Sequence, residues 1–218
     1  MEFKHTSNFK TSNLFESKTM TRTLNTSTSV GGESSAIQKP GTYHCTITHA
    51  ADGESTKGNP MSGVCAVLSV LAGTEEGQEE KEFKLHLFDP DLSKGESSQE
   101  WATKKQTAYA IAINQVDPSK LGESAECDFG EKAIGQQIVI NLAESEHEGK
   151  KKLELNYANI YHVDDPRAAN FPKDKEALAL LPKEFRKPAE YFDAISGKAK
   201  TAPAMKPKGI SDDDLNDL

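Results

Sequence analysis

Apolar and polar residues alternate most strictly at Phe83–Phe88 (FKLHLF), where Phe83, Leu85 and Leu87 share one side and Lys84, His86 and Phe88 the other. A period of two marks a strand with one buried face. Gly41–His49 (GTYHCTITH) also alternates, is rich in β-branched residues and reads as an earlier strand. Val64–Leu71 is a mostly apolar second strand, and Gly135–Leu142 (GQQIVINL) and Lys152–His162 supply a fourth and a fifth. Between the third and fourth the period changes. Trp101, Ala108, Ile111 and Ala112 recur at helical spacing from about Gln99 to Asn114, with Ser97 and Ser98 available as caps.

Turn formers punctuate these runs. Asp52-Gly53 and Lys57-Gly58-Asn59-Pro60 mark a loop over 51–62, Gly73–Glu82 is an acidic loop, Asp89-Pro90-Asp91 stops the third strand, and Glu144–Gly149 reads as a polar turn. Three strands, a helix and two strands within about 120 residues predict a mainly-β fold, a five-stranded OB-fold barrel with one helix between strands three and four. From Asp164 onward prolines cut the chain into short helices such as Lys173–Leu181 and Pro188–Ile195, which wrap the barrel or mediate contacts in a homodimer. The expected organisation is a disordered segment at 1–38, an OB domain at 39–163, a helical extension at 164–195, and a flexible linker with an acidic tail at 196–218. The first segment, poor in acids and rich in Ser and Thr, has the composition of a transit peptide but no arginine-rich amphipathic helix.

Composition narrows the function. With 35% hydrophobic and 7% aromatic residues, not all of the 218 positions can join a core. No apolar run approaches the ~20 residues of a membrane span, and no basic start precedes an apolar stretch as in a signal peptide. Cys45, Cys65 and Cys127 are far apart and form no CxxC pair, which argues against a disulfide framework or zinc site and for a reducing cytoplasm. The net charge is −8, and residues 41–163 carry eleven lysines and no arginine against twenty acids. Bulk charge therefore cannot drive nucleic-acid binding. A site for it needs a local basic stripe helped by stacking.

Such a mixture falls on the polar side of the third strand. Lys84 offers a cation to phosphates, and His86 and Phe88 offer rings to bases, unless Phe88 tucks under a loop. Lys57 and Gly58 lie in the loop between strands one and two, beside the binding face of an OB barrel, although Lys-Gly-Asn-Pro is also an ordinary turn. Lys150, Lys151 and Lys152, in or beside the loop between strands four and five, are the strongest basic spot of an acidic domain. Tyr157, Tyr161 and Tyr43 are expected to add ring faces for bases; Tyr157 and Tyr161 share a side only if no bulge intervenes, and each of the three can equally be core with a satisfied hydroxyl. Trp101 reads as a packing anchor. His162-Val163-Asp164-Asp165 suits a cation or, as well, a capped turn before Pro166. No P-loop, nucleophile elbow or HExxH occurs, so the expectation is a binding protein, not an enzyme, without cofactor or metal.

The chain ends in Ser211-Asp212-Asp213-Asp214-Leu215-Asn216-Asp217-Leu218, a charged tip behind a Pro/Ala/Lys/Gly-rich stretch. This tail, the exposed rings, and the stretches Gly41-Thr42-Tyr43 and Thr56-Lys57-Gly58-Asn59-Pro60-Met61 together resemble single-stranded-DNA-binding proteins of tailed bacteriophages. The resemblance covers roughly residues 40–162 and, separately, 211–218. It implies an OB groove that coats single strands in replication, recombination or repair within an infected bacterial host. It also implies an acidic tail (Asp212, Asp213, Asp214, Asp217 and Leu218) that recruits partner proteins. Many relatives end in Phe where this chain ends in Leu218, which changes the pocket a partner must offer.

Overall fold

The structure is a computed structural model and describes residues 35–54, 58 and 60–196. Lys57 and the tail residues Asp212, Asp213, Asp214, Asp217 and Leu218 lie outside the described residues.

Five strands form one antiparallel sheet: β1 (Gly41–Glu54), β2 (Pro60–Gly73), β3 (Glu82–Phe88), β4 (Gln137–His147) and β5 (Lys150–His162), in the order β3-β2-β1-β4-β5. The alternation predicted for β3 holds: Leu85 and Leu87 are buried while Lys84 and Phe88 are exposed. Inward residues of all five strands, among them Ile47, Leu68, Leu85, Ile140 and Ile160, build one core with Tyr109, Ala112 and Ile113. The sheet is open. Its edge strands, β3 and β5, share no ladder, so the hydrogen bonding does not close a barrel.

β1 and β2 are 14 residues each, longer than the apolar runs indicated. Register shifts in β1 at His44/Cys45, Ile47/His49 and Asp52/Glu54 let this pair bend around the core without breaking. The polar run 144–149 is likewise a turn only at its last two residues. β4 continues to His147 and β5 starts at Lys150, so that Glu146 faces Lys151 and Ser145 faces Lys152. The cross-strand ion pair is diagonal, Lys151 to Glu144 at 2.8 Å, and it sustains pairing where apolar alternation stops. The turn itself is Glu148-Gly149, with φ of 54° and 73°, the two left-handed positions of a two-residue hairpin.

Helix α1 (Glu96–Ala112) joins β3 to β4, as the change of period predicted. It starts a turn earlier than expected, with Gly95 at the N-cap, which leaves Ser97 and Ser98 inside the first turn. Its C-terminal half is buried from Tyr109 to Ala112 and packs mainly on β5. Residues before Pro40 also join the fold. The Ile37 N–H donates to the Glu82 carbonyl at 3.0 Å, the Glu82 N–H donates to the Ser35 carbonyl at 2.6 Å, and Ile37 enters the core. Residues 35–38 thus form a short strap beside the start of β3.

The extension after β5 wraps the outer face of β1, β4 and β5. It carries α2 (Lys175–Leu180), N-capped by Asp174, whose carboxylate accepts from the Glu176 and Ala177 N–H groups. Two buried polar side chains tie it down. His44 Nδ1 accepts the Asp174 N–H at 3.0 Å, and Gln137 Nε2 donates to the Ala177 carbonyl at 2.9 Å. Val163, Ala168, Phe171 and Leu178 close over Val139 and Tyr161 as a second apolar cluster. Farther on, His162 Nε2 meets the Phe185 carbonyl at 2.8 Å and its ring packs on Phe192. No helix among the described residues is long and apolar enough to cross a membrane.

Candidate nucleic-acid interface

Because β3 and β5 do not pair, a cleft of about 840 Å³ opens along their seam, with the N-terminal half of α1 beside it. β3 contributes Lys84, His86 and Phe88, three of the residues expected to meet nucleic acid. Phe88 is 55% exposed. Its ring stands edge-on to His86 with centroids 5.9 Å apart. His86 sits opposite Cys65 on β2, Nε2 3.8 Å from the thiol sulfur. Burial, then Lys105 and Lys84, lower the His86 pKa, so the imidazole enters the site neutral, as a ring.

β4 and β5 form the opposite wall, with Glu144, Lys152, Glu154 and Asn156. Of the three hairpin lysines, Lys152 lines the cleft and Lys150 is exposed at the tip. Lys151 is bound to Glu144 at 2.8 Å, which raises its pKa and occupies its charge.

Helix α1 adds Trp101 and Lys105 to the cleft, and neither was expected there. Trp101 is 42% exposed and lines the cleft, where sequence reading made it a packing anchor. The Lys105 ammonium lies 4.8 Å from the Trp101 ring centroid, a cation–π distance. Burial lowers the Lys105 pKa while Glu154 acts to raise it. The spacing of 101 and 105 is that of neighbours on one helix face, and this signal was present in the sequence.

The three tyrosines lie elsewhere. Tyr43 is fully buried in the core, donates its hydroxyl to the Lys39 carbonyl at 2.7 Å and has its pKa pushed up to about 12 by burial. It presents no ring to a ligand. Tyr161 lies under the extension, 6.1 Å from Phe171 and 5.2 Å from the Arg167 guanidinium, both measured to its ring. A register shift opposite Ile140 and Leu142 separates it from Tyr157, so the two do not share a side. Tyr157 borders a different groove of about 420 Å³ between α1 and β5, with Lys104 5.6 Å from its ring and Ala108, Ile111 and Ile160 below.

The acidic turn after β5 is committed to structure. Asp165 accepts from the Arg167 N–H and pairs with its guanidinium at 2.6 Å. Asp164 is gripped by Arg186 at 2.7 Å and by the Lys187 N–H; burial acts to raise its pKa, but these bonds hold it below the usual carboxylate value. Of the two sequence alternatives, the geometry is that of a capped turn. Among the described residues no group of three or more His, Cys, Asp or Glu side chains could hold a metal ion.

The seam defines an open, ring-bearing cleft on a five-stranded sheet. No family model matches this chain. No curated protein matches it either.

Proposed function

We propose that this protein binds single-stranded DNA with little sequence preference and that the β3–β5 cleft is where it does so. The observation that carries this reading is the company in the cleft: Lys84, Lys105 and Lys152 beside His86, Phe88 and Trp101, on a chain whose net charge is −8. Amines track phosphates and flat rings stack under bases, worth ~1–3 kcal/mol per base. The strand order, with a helix between β3 and β4, supports an OB-type barrel opened at this seam. In this reading the protein serves replication, recombination or repair of a phage in its bacterial host, and Asp212, Asp213, Asp214, Asp217 and Leu218 recruit partner proteins.

Fluorescence anisotropy with a labelled single strand at low salt tests it. The expected result is a saturable rise that duplex competitor does not reverse. An assembly module without nucleic acid is the second reading. The apolar groove between α1 and β5 favours it, and it predicts no saturable signal. Removing residues 210–218 is expected to leave DNA affinity equal or higher while abolishing partner recruitment in a pull-down.

A further inference from the structure

Carboxylates are unexpected in a groove meant for a polyanion. The cleft nevertheless contains Glu144 and Glu154. Glu144 has a partner in Lys151, which neutralises it within the hairpin. Glu154 differs: it is exposed on β5, its neighbours on the same side are Lys152 and Asn156, and the charge it influences is Lys105, beside Trp101. Indole, ammonium and carboxylate are therefore grouped in one cleft. A phosphate there would be repelled by Glu154 at close range, so the phosphate path keeps to the lysines and bases take the centre.

A carboxylate at neutral pH only accepts hydrogen bonds, and an ammonium only donates them. A base stacked at Trp101 turns its Watson–Crick edge to the neighbouring groups, as unpaired bases do when they are read. Cytosine offers an exocyclic N4 amine beside the acceptor N3, and adenine an N6 amine beside N1, so each complements one acceptor next to one donor. Guanine has its O6 carbonyl where adenine has the amine, and its own amine, N2, lies at the far end of the edge, so it does not share this match. Thymine and uracil reverse the order, with a carbonyl O4 where cytosine has its amine, and that oxygen faces Glu154 as one acceptor against another.

We infer that Glu154, working with Lys105 beside Trp101, makes this cleft prefer cytosine and adenine over thymine and uracil. The inference rests on the single-strand reading above and names the part of the ligand that this cleft tells apart. It runs against the preference that flexibility alone would give, since oligothymidine is the more pliable strand.

The test compares short oligo(dC) with oligo(dU) by anisotropy on the full-length protein. The two pyrimidine strands share a sugar and differ at the 4-amino against the 4-oxo group. Mildly alkaline buffer keeps cytosine neutral. Wild type is expected to favour oligo(dC) by roughly five- to tenfold, the size of one charge-assisted hydrogen bond. Glu154→Gln, whose amide can present either an oxygen or an NH₂ group, is expected to bring the ratio close to one, with oligo(dU) bound as well as before or better. Matching thermal melts show that the variant is folded. Equal affinities in wild type, or a ratio unchanged in Glu154→Gln, overturn the inference and leave the single-strand reading in place. Absence of binding to both strands removes that reading, and the inference with it.

Discussion

Two outward faces of the same sheet are built alike and end differently. On β1, β4 and β5, outward His44, Val139 and Tyr161 are sealed beneath the extension. On β3, outward Lys84, His86 and Phe88 remain open along the seam. Strand alternation decides which side chains leave the core. Whether they then meet solvent is decided by a segment more than a hundred residues away, as the bond between His44 and Asp174 shows. Rings on the covered face contribute stability; rings on the open face remain available to a ligand.

The largest separation between the faces is expected from aromatic deletions. Phe88→Ala with Trp101→Ala removes two exposed rings and is expected to cost ~2–6 kcal/mol of single-strand affinity, with the melting temperature almost unchanged. Tyr161→Ala is expected to do the reverse, with unchanged affinity and a loss of about 2 kcal/mol in stability from the emptied site under Phe171. A titration in which Tyr161→Ala weakened binding as much as the double variant would erase the distinction between the faces.

Acid is expected to act on the covered face. His44 is buried and neutral, its pKa lowered by burial from 6.5 to about 4. Its Nδ1 accepts the Asp174 N–H, so its Nε2–H donates to the Gln137 side-chain oxygen at 3.0 Å. The unfolded chain takes up its proton first, so the stability held above pH 6.5 drains as pH falls toward 4, by about 3 kcal/mol in all. His162, also lowered chiefly by burial, adds to the loss in the same direction. Asp164, held below its ordinary value of 3.8, contributes only in more acid solution. Thermal melts between pH 7 and 4 check this, and His44→Gln should flatten the curve. A curve equally steep in that variant would mean that His44 does not fasten the extension.

Much of this was legible in the chain. The β3 alternation placed Lys84, His86 and Phe88 outward, and the change of period placed α1 between β3 and β4. Two kinds of information were not legible. Strand ends carried by charge pairing, as at Glu144 and Lys151, have no apolar signature and look like a turn. Long-range cover also leaves no local mark: Tyr43 and Tyr161 read like Tyr157, yet one is core, one lies under the extension, and one borders a groove. Trp101 was misread because a large aromatic on a helix usually anchors it. Its partner Lys105, four residues on, was the available sign that this face of the helix looks onto charge and solvent.

The smallest expected effect lies within the open side itself, among the hairpin lysines. For single strands the log–log salt slope changes by about 0.7 for each phosphate neutralised. Lys152 lines the cleft, whereas Lys151 already spends its charge on Glu144. Lys152→Ala is therefore expected to make the slope shallower by about 0.7, and Lys151→Ala to change it by much less. The double variant Lys151→Ala, Glu144→Ala should restore the wild-type slope within error, because it removes a pair whose charges already cancel. If Lys151→Ala instead flattened the slope as much as Lys152→Ala, the ion pair would have to open when DNA arrives. The phosphate path would then run over the hairpin tip rather than along the cleft wall.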